Sequence, residues 1–146
     1  MRGYYRNPTL TGQTIAADGW LMTGDLARRA PDGALFIVGR VKELIIRSGF
    51  NVHPAEVESV LNAHPAVGQS AVVGREVTGN EEVVAFVELK AGRHASAEEL
   101  ATFAAQHLTP YKRPAEIVIL PVLPVSATGK ILKRQLRSEA RAKSEN

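Results

Sequence analysis

The 146-residue sequence contains no cysteine. Disulfides and a thiol nucleophile are therefore excluded, and a reducing cytoplasm is the default compartment. No apolar run approaches the ~20 residues that span a bilayer, and no basic-then-apolar leader opens the chain. The last four residues, Lys143-Ser144-Glu145-Asn146, carry no peroxisomal address of the Ser-Lys-Leu type. Internal repeats and low-complexity stretches are also missing. What remains is 45% hydrophobic and 23% charged, the composition of an ordinary soluble domain with one core and a short extension.

Acidic residues are scarce in one place. Between positions 112 and 143 there are eight basic residues (Lys112, Arg113, Lys130, Lys133, Arg134, Arg137, Arg141 and Lys143), opposed only by Glu116 and Glu139. Such a run concentrates an anionic partner through its field. Nucleic acid fits poorly, because no aromatic interleaves these cations and no groove-reading motif accompanies them. A nucleotide or a phosphate-bearing cofactor fits better. Arg137, Arg141 and Lys143 also read as a solvated helix face.

Several kinds of chemistry lack their residues. Thr128-Gly129-Lys130 falls short of a Walker A loop, since Pro124 stands where its first glycine is required and Ile131 where Ser or Thr would bind magnesium. No Gly-x-Gly-x-x-Gly marks a Rossmann turn. The four histidines, His53, His64, His94 and His107, have no metal-ligand spacing. No serine sits in a hydrolase context. Glu56 and Glu58 read as acidic residues favoring a helix N-terminus rather than as a catalytic carboxylate pair.

Periodicity and turn residues predict an α+β fold: a small three-stranded sheet flanked by helices, preceded by a helix and a short β-hairpin. The helix is expected over 4–17, and strands over 20–23 and 34–38, with Asp-Gly turns at Asp18-Gly19 and Asp32-Gly33. After Gly39 a strand is expected over 43–47, followed by a helix that Pro54 opens at its first position. Val57, Val60 and Leu61 would form its apolar stripe. The β-branched runs 67–73 and 83–89 read as an antiparallel pair. Ser96 with Glu99 makes a capping box for a helix whose inner face is Leu100, Phe103 and Ala104. Residues 117–120 form a third strand, apolar on both faces and expected to be covered on both. A basic helix over 131–141 closes the pattern.

Two distant segments carry the chemistry, GRVKELIIRSGFNVHPAEVE (39–58) and PVSATGKILKRQL (124–136), with GWLMTGDL (19–26) upstream. Together they resemble the carboxyl-terminal region of the adenylate-forming acyl-CoA synthetases, which activate carboxylic acids with ATP. The resemblance covers nearly the whole chain. It implies that residues 1–38 are the edge of a large N-terminal domain, 39–42 a hinge, and 43–146 a mobile C-terminal domain. The opening Met1-Arg2-Gly3-Tyr4-Tyr5 resembles the middle of a longer member, so the chain is expected to be a fragment. It lacks the family's glycine- and hydroxyl-rich phosphate loop and its acyl pocket, and is not expected to be active alone.

Lys130 is the expected catalytic residue. Making an acyl adenylate concentrates charge on the α-phosphate, and a lysine ammonium can reach that oxygen and the substrate carboxylate together. A cation at a helix start opposes the macrodipole, while Ser126, Ala127 and Gly129 suggest a flexible loop that could deliver it. A carboxylate can accept from both hydroxyls of a ribose. The resemblance assigns that role to Asp25 and a nearby nucleotide contact to Arg40. It places the hinge at Lys42, where many members have aspartate and lysine is the other common choice. It also turns the Ser48-Gly49 loop toward the pantetheine of CoA in a second domain orientation. Tyr111-Lys112-Arg113-Pro114 offers an aromatic and two cations, with Tyr111 expected on the CoA adenine and Arg113 on phosphate. The implied ligands are ATP, with magnesium held mainly by the N-terminal domain, CoA and a carboxylic acid. A separately encoded, non-catalytic nucleotide- or CoA-binding module is the competing reading. A peptide-synthetase adenylation domain is disfavored, because no carrier domain follows the final helix.

Overall fold

The computed structural model describes residues 1–142. They divide into two compact units, Met1–Lys42 and a second beginning at Glu43.

The first unit is built from local signals. Asn7 caps helix α1 (Pro8–Thr14), its Oδ1 accepting the Leu10 N–H at 2.9 Å, and Pro8 takes the first turn. The helix is shorter than the expected 4–17, because proline at its start marks a boundary that Tyr4 and Tyr5 precede. The expected strand at 20–23 shrinks to one bridge between Ile15 and Leu21 around the Asp18-Gly19 turn. The pairing partner of the second strand lies further on: β1 (Asp25–Arg29) runs antiparallel to β2 (Leu35–Arg40). Asp32 Oδ1 accepts the Ala34 N–H at 3.0 Å and closes their turn. No residue of this unit is fully buried.

The second unit contains the core. A 3-10 turn (Val41–Glu43) leads to a three-residue hairpin pair, β3 (Ile45–Arg47) and β4 (Phe50–Val52), and then to α2 (Pro54–Asn62). The main sheet follows, with β5 (Val67–Val77) antiparallel to β6 (Asn80–Leu89). Helix α3 (Ala97–His107) crosses over to β7 (Glu116–Leu120), which pairs parallel to β6. Ser96 caps α3, its Oγ accepting the Glu99 N–H at 3.1 Å. Helix α4 (Lys133–Ala142) comes last.

Strand alternation sends side chains to two cores. Val72, Val83, Ala85 and Val87 pack with Leu61 of α2 and Leu100 of α3, while Ala71, Val73, Val84 and Phe86 pack under Leu136 and Ala140 of α4. Both faces of the sheet are covered, which explains the unbroken apolar run in β6, its central strand. The expected double coverage of β7 is incomplete. It is an edge strand, with Ile117 and Val118 on opposite cores and Ile119 partly exposed. Arg75 joins all three strands, its guanidinium donating to Glu82 at 2.7 Å and Glu116 at 2.5 Å. Those contacts, led by the Glu82 hydrogen bond, outweigh burial and raise its pKa.

Candidate functional site

In the first unit, the β1–β2 register sets Asp25 opposite Arg40. Arg40 Nε lies 2.9 Å from Asp25 Oδ1, so the two residues expected at the nucleotide meet as an ion pair. The other carboxylate oxygen has no hydrogen bond among the described residues. Thr23 Oγ1 accepts the Asp25 N–H at 3.1 Å, and the Val41 N–H donates to the Gly24 carbonyl at 2.9 Å, fixing the Thr23-Gly24-Asp25 turn. The site therefore presents one pre-oriented carboxylate oxygen beside a cation. Lys42 is exposed in the 3-10 turn at the end of this unit.

In the second unit, Ser48 and Gly49 are the two turn residues of the β3–β4 hairpin, with φ of 51° and 81°. Both angles are left-handed, as a two-residue turn between twisted strands requires. Gly49 adopts this freely, whereas Ser48 is strained by roughly 1–2 kcal/mol. Asn80 at the β5–β6 turn offsets that strain. Its Oδ1 accepts the Ser48 N–H at 2.6 Å and its Nδ2 donates to Ser48 Oγ at 3.3 Å. Next to it, Glu81 Oε2 accepts the Ile46 N–H at 2.6 Å. Side chains thus stand in for a neighboring strand along the free edge of β3.

Tyr111 lies in a 3-10 turn (Pro110–Lys112) and stacks on Phe50 with ring centroids 4.6 Å apart. Arg47 Nη1 donates to the Arg113 carbonyl at 2.6 Å and to the Tyr111 carbonyl at 3.4 Å. These contacts join the Ser48-Gly49 turn and the Tyr111 segment into one surface. The two cations of that segment, however, are directed inward. Arg113 donates through Nε to the Leu108 carbonyl (3.1 Å) and through Nη2 to the Ala105 carbonyl (3.0 Å), closing the last turn of α3. Its guanidinium is therefore engaged with helix carbonyls and not simply presented to a phosphate. Lys112 Nζ donates to both oxygens of Glu56, at 2.6 and 2.8 Å. The Glu56 hydrogen bond raises the Lys112 pKa, overcoming burial.

Lys130 is exposed and makes no ion pair among the described residues. The segment holding it is a hydrogen-bonded turn rather than an irregular loop. Val125 and Ile131 bridge at its neck, the Ser126 N–H donates to the Lys130 carbonyl at 2.8 Å, and Ser126 Oγ accepts the Lys130 N–H at 3.1 Å. Gly129, with φ of 78°, provides the left-handed step that closes this tight turn. Nor does Lys130 begin the last helix, since α4 starts at Lys133.

Lys133 is the cation at that helix start. Its Nζ lies 2.9 Å from Glu43 Oε2 and 2.9 Å from Glu58 Oε1. Glu58 Oε1 also accepts the Val72 N–H at 2.7 Å. The expectation that Glu56 and Glu58 merely complement a helix dipole is thus corrected, because each holds a specific lysine and only Glu56 lies in the first turn of α2. Arg141, expected on a solvated face, pairs with Glu76 of β5. Lys143 and the rest of 143–146 lie outside the described residues. Sequence reasoning missed Arg47, Phe50, Asn80 and Lys133. The hairpin had a signal in Ser48-Gly49 between two short apolar runs, and Lys133 had one in its unfavorable place on the helix dipole.

The profile of the family described as the AMP-binding enzyme C-terminal domain matches residues 56–130. The chain belongs to the AMP-binding enzyme C-terminal domain family. It is 43% identical over 146 residues to a long-chain-fatty-acid–CoA ligase of Salmonella typhimurium, covering 100% of this chain and 26% of that protein. It is 40% identical over 141 residues to 4-coumarate–CoA ligase 1 of Oryza sativa subsp. japonica, covering 95% and 25%. The crystal structure of ATP-bound MatB from Rhodopseudomonas palustris superposes with a TM-score of 0.87 at 34% identity, covering 94% of this chain and 28% of that one. The chain thus spans about a quarter of the length of these two ligases. Lys130 is the last residue of the family match.

Proposed function

We propose that this chain is the C-terminal portion of an ATP-dependent, AMP-forming ligase that joins a carboxylic acid to CoA through an acyl adenylate. The observation that carries the proposal is Lys130, an exposed ammonium with no ion pair among the described residues, at a hydrogen-bonded turn within the family match. It would bridge the substrate carboxylate and the α-phosphate as pyrophosphate leaves, a preorganised charge that needs no rearrangement at the moment of reaction. Asp25 would accept from the ribose while Arg40 orients its carboxylate and faces the nucleotide. Lys42 would act as the hinge between two domain settings, one for each half-reaction. The Ser48-Gly49 turn would face the pantetheine arm, and Tyr111, backed by Phe50, would stack on the adenine of CoA. Arg113 would act mainly by shaping that segment through the carbonyls it holds.

The described residues contain no group of three acidic or histidine side chains that could hold a metal ion, and the magnesium accompanying ATP would be held mainly by the N-terminal domain of the intact ligase. The identity of the acid is left to residues outside this chain; fatty and aromatic acids are both named among its relatives.

The test separates the two half-reactions in the intact ligase. Lys130→Ala should lower adenylation at least ~10²-fold, the range for one preorganised contact, and spare thioester formation from supplied acyl adenylate. Equal loss in both would remove the assigned adenylation role from Lys130 and point to a folding defect in the variant.

A further inference from the structure

A lysine at the first position of a helix faces the positive end of the dipole, so Lys133 is badly placed unless something compensates. Two carboxylates do. Its ammonium lies 2.9 Å from both Glu43 and Glu58. Glu43 belongs to the segment just after Lys42, and Glu58 to α2, while the Val72 N–H of β5 donates to the same Glu58 oxygen. One ammonium therefore gathers the exit of the expected hinge, a core helix, a sheet strand and the base of α4. Burial pushes its pKa down, but Glu58 and Glu43 outweigh that and raise it overall.

Stability alone explains this arrangement poorly. A partly buried ion pair gives back in Coulomb attraction about what it loses in desolvation, and Leu136 and Ala140 already dock α4. Position explains it better. Only Ile131 and Leu132 separate Lys133 from Lys130. Ile131 is bridged to Val125, and the Leu132 N–H donates to the Pro124 carbonyl at 2.8 Å. The Lys130 turn is thus pinned at its neck by backbone and at its base by the Lys133 ammonium.

We propose that Lys133 is a positioning residue, whose ammonium, clamped between Glu43 and Glu58, fixes the Lys130 turn relative to the segment that leaves Lys42. The inference rests on the reading of Lys130 as the adenylation lysine. Glu58 is held independently by Val72, so it acts as the fixed point, and Glu43 extends the clamp toward the hinge.

The experiment is run on the intact ligase with Lys133→Met, Lys133→Arg, Glu43→Gln and, in parallel, Lys130→Ala. A displacement of about 1 Å at a reacting group can cost up to ~10²-fold. Lys133→Met should therefore lower the adenylation kcat at least about tenfold, with the KM for ATP changed less than about twofold. Thioester formation from supplied acyl adenylate should stay within about twofold, and Lys133→Arg should recover most of the loss. Glu43→Gln, which leaves the Glu58 pair intact, should give a smaller loss confined to adenylation and keeps the proposal testable if Lys133→Met fails to fold. Unchanged adenylation in the folded variants, or equal loss in both half-reactions, overturns the proposal. If Lys130→Ala itself leaves adenylation intact, the underlying reading falls first. A strong Lys130→Ala effect beside silent Lys133 and Glu43 variants overturns the positioning role alone.

Discussion

At the scale of single residues, a side chain's partners decide whether it is available to a ligand. Lys130 and Lys133 are three positions apart, yet one has no ion pair among the described residues and the other has two carboxylates. Asp25 lies between these extremes, with one oxygen on Arg40 and the other without a hydrogen bond among the described residues. If that second oxygen meets the ribose, Asp25→Ala removes hydrogen bonds to a charged acceptor worth about 1.5–3 kcal/mol each. The Kd of the intact ligase for ATP, measured by calorimetry, should rise at least about tenfold. Arg40→Ala should weaken binding less, since it removes the orienting partner and leaves the acceptor. An unchanged Kd in Asp25→Ala would take that residue out of the nucleotide site. Lys130, Asp25 and Arg40 can be proposed from the sequence because motif spacing survives without coordinates. The inward turn of Lys112 and Arg113 was not, since it depends on Glu56 and on α3 carbonyls that only the fold brings near.

Elements with a chemical start signal were read well from the sequence. Pro54 opens α2 and Ser96 opens α3 where expected, and β5 and β6 form the expected pair, each extended toward the Thr78-Gly79 turn. Elements without enough periods were read badly. β3 and β4 have three residues each, too few to show an alternation, so the hairpin appeared as a strand and a loop. Helix α4 starts two residues later than its apolar pattern predicts, because Ile131 is taken up in a bridge to Val125. The β3–β4 turn has its own prediction. A Cβ at Gly49 would meet nothing within 4 Å, so the cost of a side chain there is its left-handed φ of 81° and not a clash. Gly49→Leu should therefore fold with only a modest loss, roughly 1–2 kcal/mol in a urea melt. If this turn faces the pantetheine arm, as proposed, the added bulk would obstruct it. The apparent KM for CoA should rise, while ATP–pyrophosphate exchange should stay near the parent value. A normal CoA requirement in the folded variant would detach this turn from the thioester step.

For the whole molecule, the two units differ in what holds them together. The second has a sheet with both faces covered, whereas the first has no fully buried residue. Cohesion thus changes near Lys42, which lies in a 3-10 turn, is exposed, and precedes a residue tied to Lys133. If a rotation separates the two half-reactions, its dihedral change must fall on such weakly held residues. Proline tests this directly. A 3-10 turn has φ of about −50 to −70°, which overlaps the ~−65° that proline enforces. Lys42→Pro should hold one setting and close off the other, although proline also narrows the choices of Val41. One half-reaction of the intact ligase should then proceed at near its usual rate while the other falls at least about tenfold in kcat, with the KM for CoA little changed. This pattern differs from that of Gly49→Leu, where CoA binding suffers and the maximal rate is reached at higher CoA. Normal rates for both half-reactions in Lys42→Pro would rule out rotation about this residue and leave the segment a fixed linker.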